Sequence, residues 1–189
     1  KETLNRIFKN LKLEEMKTIR ELRNILKFHP QEINSSVKFF AEHRLNGKVD
    51  FNVYLPTRGF NLQRALVWDL FQKRELIWSI LMKRHIPRMA ILYTVNNVYQ
   101  VVDGKQRLTA MLDFYDNKFQ LEILDGLYYF KDLPVDYQNV IGGFFFAYNV
   151  VNEDFDNKIA DSEKIEWFKF INFAGTPQDV AHIKKLSEK

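Results

Sequence analysis

The sequence contains no cysteine. That absence removes disulfide frameworks, thiolate nucleophiles, Cys-ligated zinc and iron–sulfur clusters from the chemistries open to the chain. Histidine is scarce as well: His29, His43, His85 and His182 lie far apart, none at a zinc-ligand spacing, and no His-Asn-His nuclease core can be drawn from them. Glu15-Met16-Lys17 is a formal Glu-x-Lys, but it lies in a helical stretch with no Pro-Asp pair before it, so no nuclease motif is read in this chain. Long apolar runs are missing too. The longest, Val140 to Tyr148, falls far short of the roughly 18 to 20 residues of a membrane span. No charged segment with a following apolar stretch opens the chain, so no membrane partner is expected and the cytoplasm is the expected location. The chain begins on Lys1 rather than methionine, as a processed product or one module of a longer protein would.

What is present suits one globular domain: 189 residues, 46% of them hydrophobic, are enough to bury a sizeable core. Lys+Arg number 28 against 24 Asp+Glu, and the resulting +4 is compatible with a polyanionic partner without requiring one. Apolar spacing predicts an amphipathic helical stretch over 2–27, ended by His29-Pro30, and a second helix after Asn34-Ser35-Ser36, where serine supplies a cap, stopped by Gly47. Alternation over Val49 to Leu55 predicts a half-buried strand, and 56–61 a loop. Helical spacing returns over 69–84. Two β-rich runs, 89–94 and 98–102, read as a hairpin, and 105–115 as a helix. Further helices are expected at 134–140, 161–172 and 177–187, with short strands near 118–123, 127–130 and 144–150. The acidic cluster Glu153, Asp154, Asp156 and Asp161 reads as a solvated loop. The class is α+β.

The most informative segment is Asp103-Gly104 leading into Lys105-Gln106-Arg107. A strand that turns directly into a helix points free backbone N–H groups and the positive end of the helix dipole at whatever lies above the turn, and anions bind there. Gly104 lacks the Cβ that would hold a phosphate away, Arg107 carries a bidentate fork, and Lys105 adds a second positive charge. The same residues have a plain structural reading. Asp103 and Gln106 are spaced as N-cap and N3 of a capping box, and Arg107 can pair with a carboxylate.

Upstream lie Asn61-Leu62-Gln63-Arg64 and Val67-Trp68, then the 69–84 helix, Ile86-Pro87 and the two strands; downstream lies Trp167 to Pro177 (WFKFINFAGTP). This order of boxes resembles the ParB/sulfiredoxin-like superfamily. It resembles more closely the N-terminal domain of GmrSD-type restriction proteins, whose hallmark is Asp-Gly-Gln-Gln-Arg after a Gln-Arg…Trp box, with a later Phe-x-Arg-Ile-Asn-x-Gly-Gly-x-Pro segment. Lys105 stands in place of the first hallmark glutamine, Phe170 in place of an arginine and Ala174 in place of the first glycine of the late pair. Sulfiredoxin chemistry is excluded, since it needs a cysteine in this turn.

The resemblance implies a ParB/sulfiredoxin-like core, a small mixed sheet with helices, over 49–150, with a helical N-terminal extension over 1–48 and a C-terminal helical segment, 151–189, packed on the core. It implies a nucleotide or phosphate pocket built from Gln63, Arg64, Gly104, Lys105, Arg107 and Asn172, with Asp103, Gln106 and Arg107 catalytic. Asp103 stands either as a Mg²⁺ ligand or as the helix cap, and Trp68 either under its helix or as a platform for a base. The implied activity is nucleoside triphosphate binding, with hydrolysis, in a restriction or phage-defence system whose nuclease domain or subunit this domain regulates. The alternative is a ParB-like module that binds DNA or a nucleotide without turnover. A third reading is a scaffold. On these grounds Arg107→Ala is expected to abolish nucleotide binding while leaving the fold intact.

Overall fold

Strand β5 (Met89–Tyr93) is apolar at nearly every position because both of its faces are covered. It lies at the centre of a five-stranded sheet ordered β1 (Gln31–Ser36), β9 (Phe145–Asn152), β5, β6 (Tyr99–Asp103), β2 (Val49–Asp50). A computed structural model describes this fold over residues 30–124, 126–156 and 158–173. The sheet is mixed: β1 runs antiparallel to β9, β9 parallel to β5, β5 antiparallel to β6, and β6 parallel to β2.

Successive side chains on a strand point to opposite faces, and the two cores divide along that rule. Met89 and Ile91 join one core with Val101 and Tyr148; Ala90 and Leu92 join the other with Val102 and Val151. On the first face pack α1 (Val37–Leu45), α2 (Leu70–Leu81), α3 (Lys105–Tyr115) and α4 (Val135–Gly142), contributing Phe40, Ile77, Met111 and Ile141. The second face is covered by α5 (Asp161–Phe173), through Ile165, Trp167 and Phe168, and by Val53, Leu55 and Leu62 from the segment after β2. Two small antiparallel pairs, β3 (Tyr54–Leu55) with β4 (Phe60–Asn61) and β7 (Leu121–Ile123) with β8 (Gly126–Tyr128), and a 3-10 turn, Phe130–Asp132, are further elements of the described residues.

The α+β class and the small mixed sheet agree with the sequence expectation. The hairpin, the Ser36 cap and the helix over 105–115 stand where the residues place them; the Ser36 side chain accepts from the Phe39 N–H at 3.1 Å. Other expectations need correction. Residues 31–48 are no appendage, since β1 is a full edge strand and α1 supplies Phe40 to the core. The predicted strand over 49–55 is broken into β2 and β3, because the Asp50 carboxylate captures the N–H groups of Asn52 and Val53. The acidic loop is not simply solvated. Asp161 is buried and accepts from the Thr57 N–H at 2.8 Å and hydroxyl at 2.7 Å, and Glu153 accepts from the Ile159 N–H at 3.0 Å. The helices expected over 2–27 and 177–187, and Gly175-Thr176-Pro177, lie outside the described residues.

The turn from β6 into α3 is the tightest point of the fold. Gly104 sits at φ +97° as the residue before α3, and a Cβ there would lie 2.6 Å from Met89 Cγ and 2.9 Å from Met89 Cβ. Met89 is itself buried in β5 and cannot swing away. Gly104→Ala therefore combines left-handed strain with overpacking and should lower the unfolding free energy by about 2–3 kcal/mol, measured by chemical denaturation.

Candidate functional site

At the end of β6 and the start of α3 a pocket of about 150 Å³ opens to the surface. One side is formed by residues 103–107, the other by Gln63, Arg64 and Trp68. Two boxes some forty positions apart in the sequence thus meet at one place. Of the expected site residues, Gln63, Arg64, Asp103, Gly104, Lys105, Gln106 and Arg107 all line it. Asn172 lies within α5, and its side chain is outside the described residues, so no geometry joins it to the pocket.

The local fold makes the strand-turn-helix electropositive. Helix α3 has Gly104 at its N-cap and receives no side-chain cap, so Asp103 is not the cap. The reason is conformational: Asp103 still belongs to β6, and the left-handed turn falls on the glycine. The N–H groups of Lys105, Gln106 and Arg107 have no acceptor among the described residues. Three cations, Arg64, Lys105 and Arg107, stand against one carboxylate, Asp103, in the lining, a formal balance of +2. Unsatisfied helix N–H groups beside excess positive charge are an arrangement that anions complete.

Most of the polar lining is already engaged, and the pattern separates supports from open groups. The Gln106 side chain spans the 65–68 segment: its Oε1 accepts from the N–H groups of Val67 at 3.1 Å and Trp68 at 3.2 Å, and its Nε2 donates to the Ala65 carbonyl at 3.0 Å. This clamp ties the first box to the second. Gln63 Nε2 donates to the carbonyls of Val101 and Val102. Those carbonyls lie beyond the end of the short strand β2, where the β5–β6 register also shifts by one residue; the Gln63 amide takes the place of the missing ladder partner.

Arg107 is similarly committed. Its guanidinium donates to Asp103 Oδ2 at 2.8 Å, to the Pro87 carbonyl at 3.1 Å and, more weakly, to the Arg88 carbonyl at 3.4 Å. Both side chains of the ion pair are mostly buried, Arg107 16% and Asp103 21% exposed. Arg107 thus braces the 82–88 loop against β6. Arg107→Ala would leave a largely buried carboxylate without its cation, so a loss of stability is expected beside any loss of binding. Arg64 differs: it is half-buried, lines the pocket, and has no hydrogen bond or ion pair among the described residues. Lys105 is 7% exposed and donates to Asn52 Oδ1 at 3.0 Å. Burial pushes its pKa below the usual lysine value, while the nearby Asp50 carboxylate acts in the opposite sense.

Trp68 combines both of its expected positions, since it is half-buried against the helical core and also lines the pocket. Beyond it the chain stays apolar and open, with Leu66 48%, Val67 60% and Phe71 70% exposed. For a metal, the described residues offer little. Asp103 is the single carboxylate in the lining, one of its oxygens is held by Arg107, and no cluster of three acidic or histidine side chains occurs among the described residues. Asn52, which bonds Lys105 and the Gln63 backbone, and Asp50, which fixes the turn at Asn52, escape sequence reading, because the alternating pattern of VDFNVYL places them on the wet face of a strand.

Removing each arginine should separate the two kinds of residue. Arg107→Ala is expected to cost about 2 kcal/mol of stability in denaturant titrations. Arg64→Ala should stay within about 0.5 kcal/mol of the parent, as surface changes without partners do.

Comparison with known proteins bears on the same segments. No curated protein and no solved structure matches the chain. The family model described as GmrSD restriction endonuclease, N-terminal domain, matches residues 38–187, which include every residue of the pocket. The chain therefore belongs to the GmrSD restriction endonuclease N-terminal domain family, and is a component of a restriction-type system.

Proposed function

We propose that the pocket binds the phosphates of a nucleoside triphosphate and that the domain uses this binding, with hydrolysis, to regulate a nuclease domain or subunit of a restriction and phage-defence system. The observation that carries the reading is Arg64, a cation with no partner among the described residues, standing across the pocket from the uncapped N-terminus of α3. A phosphate between them would receive the helix N–H groups on one side and a guanidinium fork on the other. Lys105 is the second cation, Gln106 ties the two walls together, and Arg107 fixes the turn against the 82–88 loop.

The size of the pocket supports a division of the ligand into two parts. About 150 Å³ is below the roughly 300 Å³ at which pockets begin to enclose a drug-sized molecule. It suits phosphate groups, leaving the base outside, where Trp68 and the exposed Val67 and Phe71 offer an apolar surface. Magnesium enters as the companion of the triphosphate. It would take most of its oxygens from phosphates and water, with Asp103 the lone carboxylate of the lining to meet it, a ligand set that magnesium accepts. In phosphoryl transfer the protein's share is positioning and charge stabilisation, which Arg64, Arg107 and Lys105 would supply.

A second reading rests on the 82–88 loop. Lys83, Arg84 and His85 are exposed there and have no ion pair among the described residues, and the loop is tied to the pocket through Arg107. In this reading the domain binds DNA backbone without turnover. Affinity would then fall steeply with salt, as phosphate contacts release counterions.

Phosphate release from each of the four ribonucleoside triphosphates with magnesium, measured on the parent chain and on Arg64→Ala, tests the first reading. Turnover should fall at least about tenfold in the variant at unchanged stability. Equal turnover in both proteins would remove Arg64 from the site. Absence of both turnover and binding in the parent, with salt-sensitive DNA binding, would favour the second reading. Lys105→Met gives an independent check. A buried charge is costly to the fold, so the variant should be as stable as the parent or more stable at pH 7 while binding tripolyphosphate more weakly in calorimetry.

A further inference from the structure

Residues 64–68 lead from β4 toward α2 without secondary structure of their own, and they carry two side chains of the pocket lining, Arg64 at one end and Trp68 at the other. Packing secures this strap only in part. Trp68 rests on the helical core, whereas Ala65, Leu66 and Val67 are exposed. The hydrogen bonds of the strap among the described residues all run to one side chain, Gln106. Its Nε2 donates to the Ala65 carbonyl at 3.0 Å, and its Oε1 accepts from the N–H groups of Val67 at 3.1 Å and Trp68 at 3.2 Å. The flanks are fixed separately. Gln63 is held by the Val101 and Val102 carbonyls and, through its N–H, by the Asn52 carbonyl; Asp69 and Gln72 cap α2 reciprocally.

The Arg64 guanidinium has no partner among the described residues, so its own side chain does not fix where it stands. The backbone on either side does: Gln63 anchors the residue before it and Gln106 the residue after it. Building on the phosphate reading of the pocket, we propose that Gln106 is a positioning residue whose side-chain amide latches the 64–68 strap so that Arg64 faces the N-terminus of α3 before a phosphate arrives. A glutamine that orients an attacking water needs a free acceptor. The Gln106 oxygen has two lone pairs and gives both to the strap, which leaves that task without an acceptor and identifies the side chain as a latch. Its backbone N–H is a separate matter. That group belongs to the first turn of α3, has no acceptor among the described residues, and stays available to a phosphate whatever the side chain does. Holding the strap ahead of binding lowers the ordering cost that the ligand would otherwise meet.

A double-mutant cycle on the full chain, read by calorimetric titration with tripolyphosphate, tests the latch. Gln106→Ala keeps the N–H groups of α3 and places a strong helix former in its first turn, so little besides the latch is removed. Gln106→Ala and Arg64→Ala should each weaken binding about tenfold, and the double variant should bind no more weakly than either, because the same guanidinium contact is lost in all three. Gln106→Met fills similar space without a hydrogen-bonding amide and should behave as Gln106→Ala does. Amide hydrogen exchange at Val67 and Trp68, measured without ligand, should be slow in the parent and fast in both Gln106 variants.

Losses that multiply to about a hundredfold in the double variant would overturn the proposal, since independent residues add in free energy. Parent-like affinity in Gln106→Met, or slow exchange kept in the variants, would overturn it as well. So would turnover lost at unchanged affinity, the mark of a catalytic side chain. A parent chain that binds neither tripolyphosphate nor any of the four ribonucleoside triphosphates would instead overturn the phosphate reading, and with it the role of Arg64 that the latch serves.

Discussion

The close approach of Gly104 to Met89 is the constraint on which the pocket depends. The β6–α3 connection has one residue, and that residue must turn left-handed while its Cα faces the side chain of a central strand. No other residue type meets both demands without strain or displacement of Met89. Given this turn, Asp103 ends the strand and Lys105, Gln106 and Arg107 open the helix, all within one pocket wall. The glycine therefore has a reason to be there apart from any ligand: packing beneath the turn requires it, and access from above comes with it.

Around this turn the polar side chains mostly build. Gln63 completes a strand ladder that β2 leaves unfinished, Gln106 clamps the segment leading to α2, and Arg107 braces the 82–88 loop against Asp103. Gln63 bonds the carbonyls of two buried residues, which would cost more unpaired than an average hydrogen bond gains, while Gln106 and Arg107 tie down backbone groups of exposed segments. What stays open after this accounting is narrow: the Arg64 guanidinium, the first N–H groups of α3 and two protons of the Lys105 ammonium. Boxes that line one pocket can thus mix residues engaged within the fold with residues whose polar groups stay open. Hydrogen-bond partners separate the two where residue type does not.

Much of the architecture is legible in particular residues. Apolar positions at helical spacing mark α2 and α3, Ser36 marks the start of α1, and the β5–β6 hairpin follows from two apolar runs around Val95-Asn96-Asn97. Strand β1 is not legible, because QEINSS is polar and short and is a strand only by pairing with β9. The break after Asp50 is equally hidden. An alternating pattern cannot reveal that one carboxylate will bend the chain by taking two N–H groups.

The order of the Gln63-Arg64, Trp68 and Asp103-Gly104…Arg107 boxes by itself pointed to the family, which the match over residues 38–187 shows, and to residues that line one pocket, because such boxes are a property of local order along the chain. The tertiary structure alone decided what each of them does. Whether an arginine is a brace or an open cation depends on which carbonyls and carboxylates come within hydrogen-bond reach of it, and for Arg107 these are Asp103, one helical turn earlier, and two carbonyls of a loop nearly twenty residues away. In the same way Lys105 is buried and meets Asn52, more than fifty positions earlier, through contacts that sequence spacing does not encode.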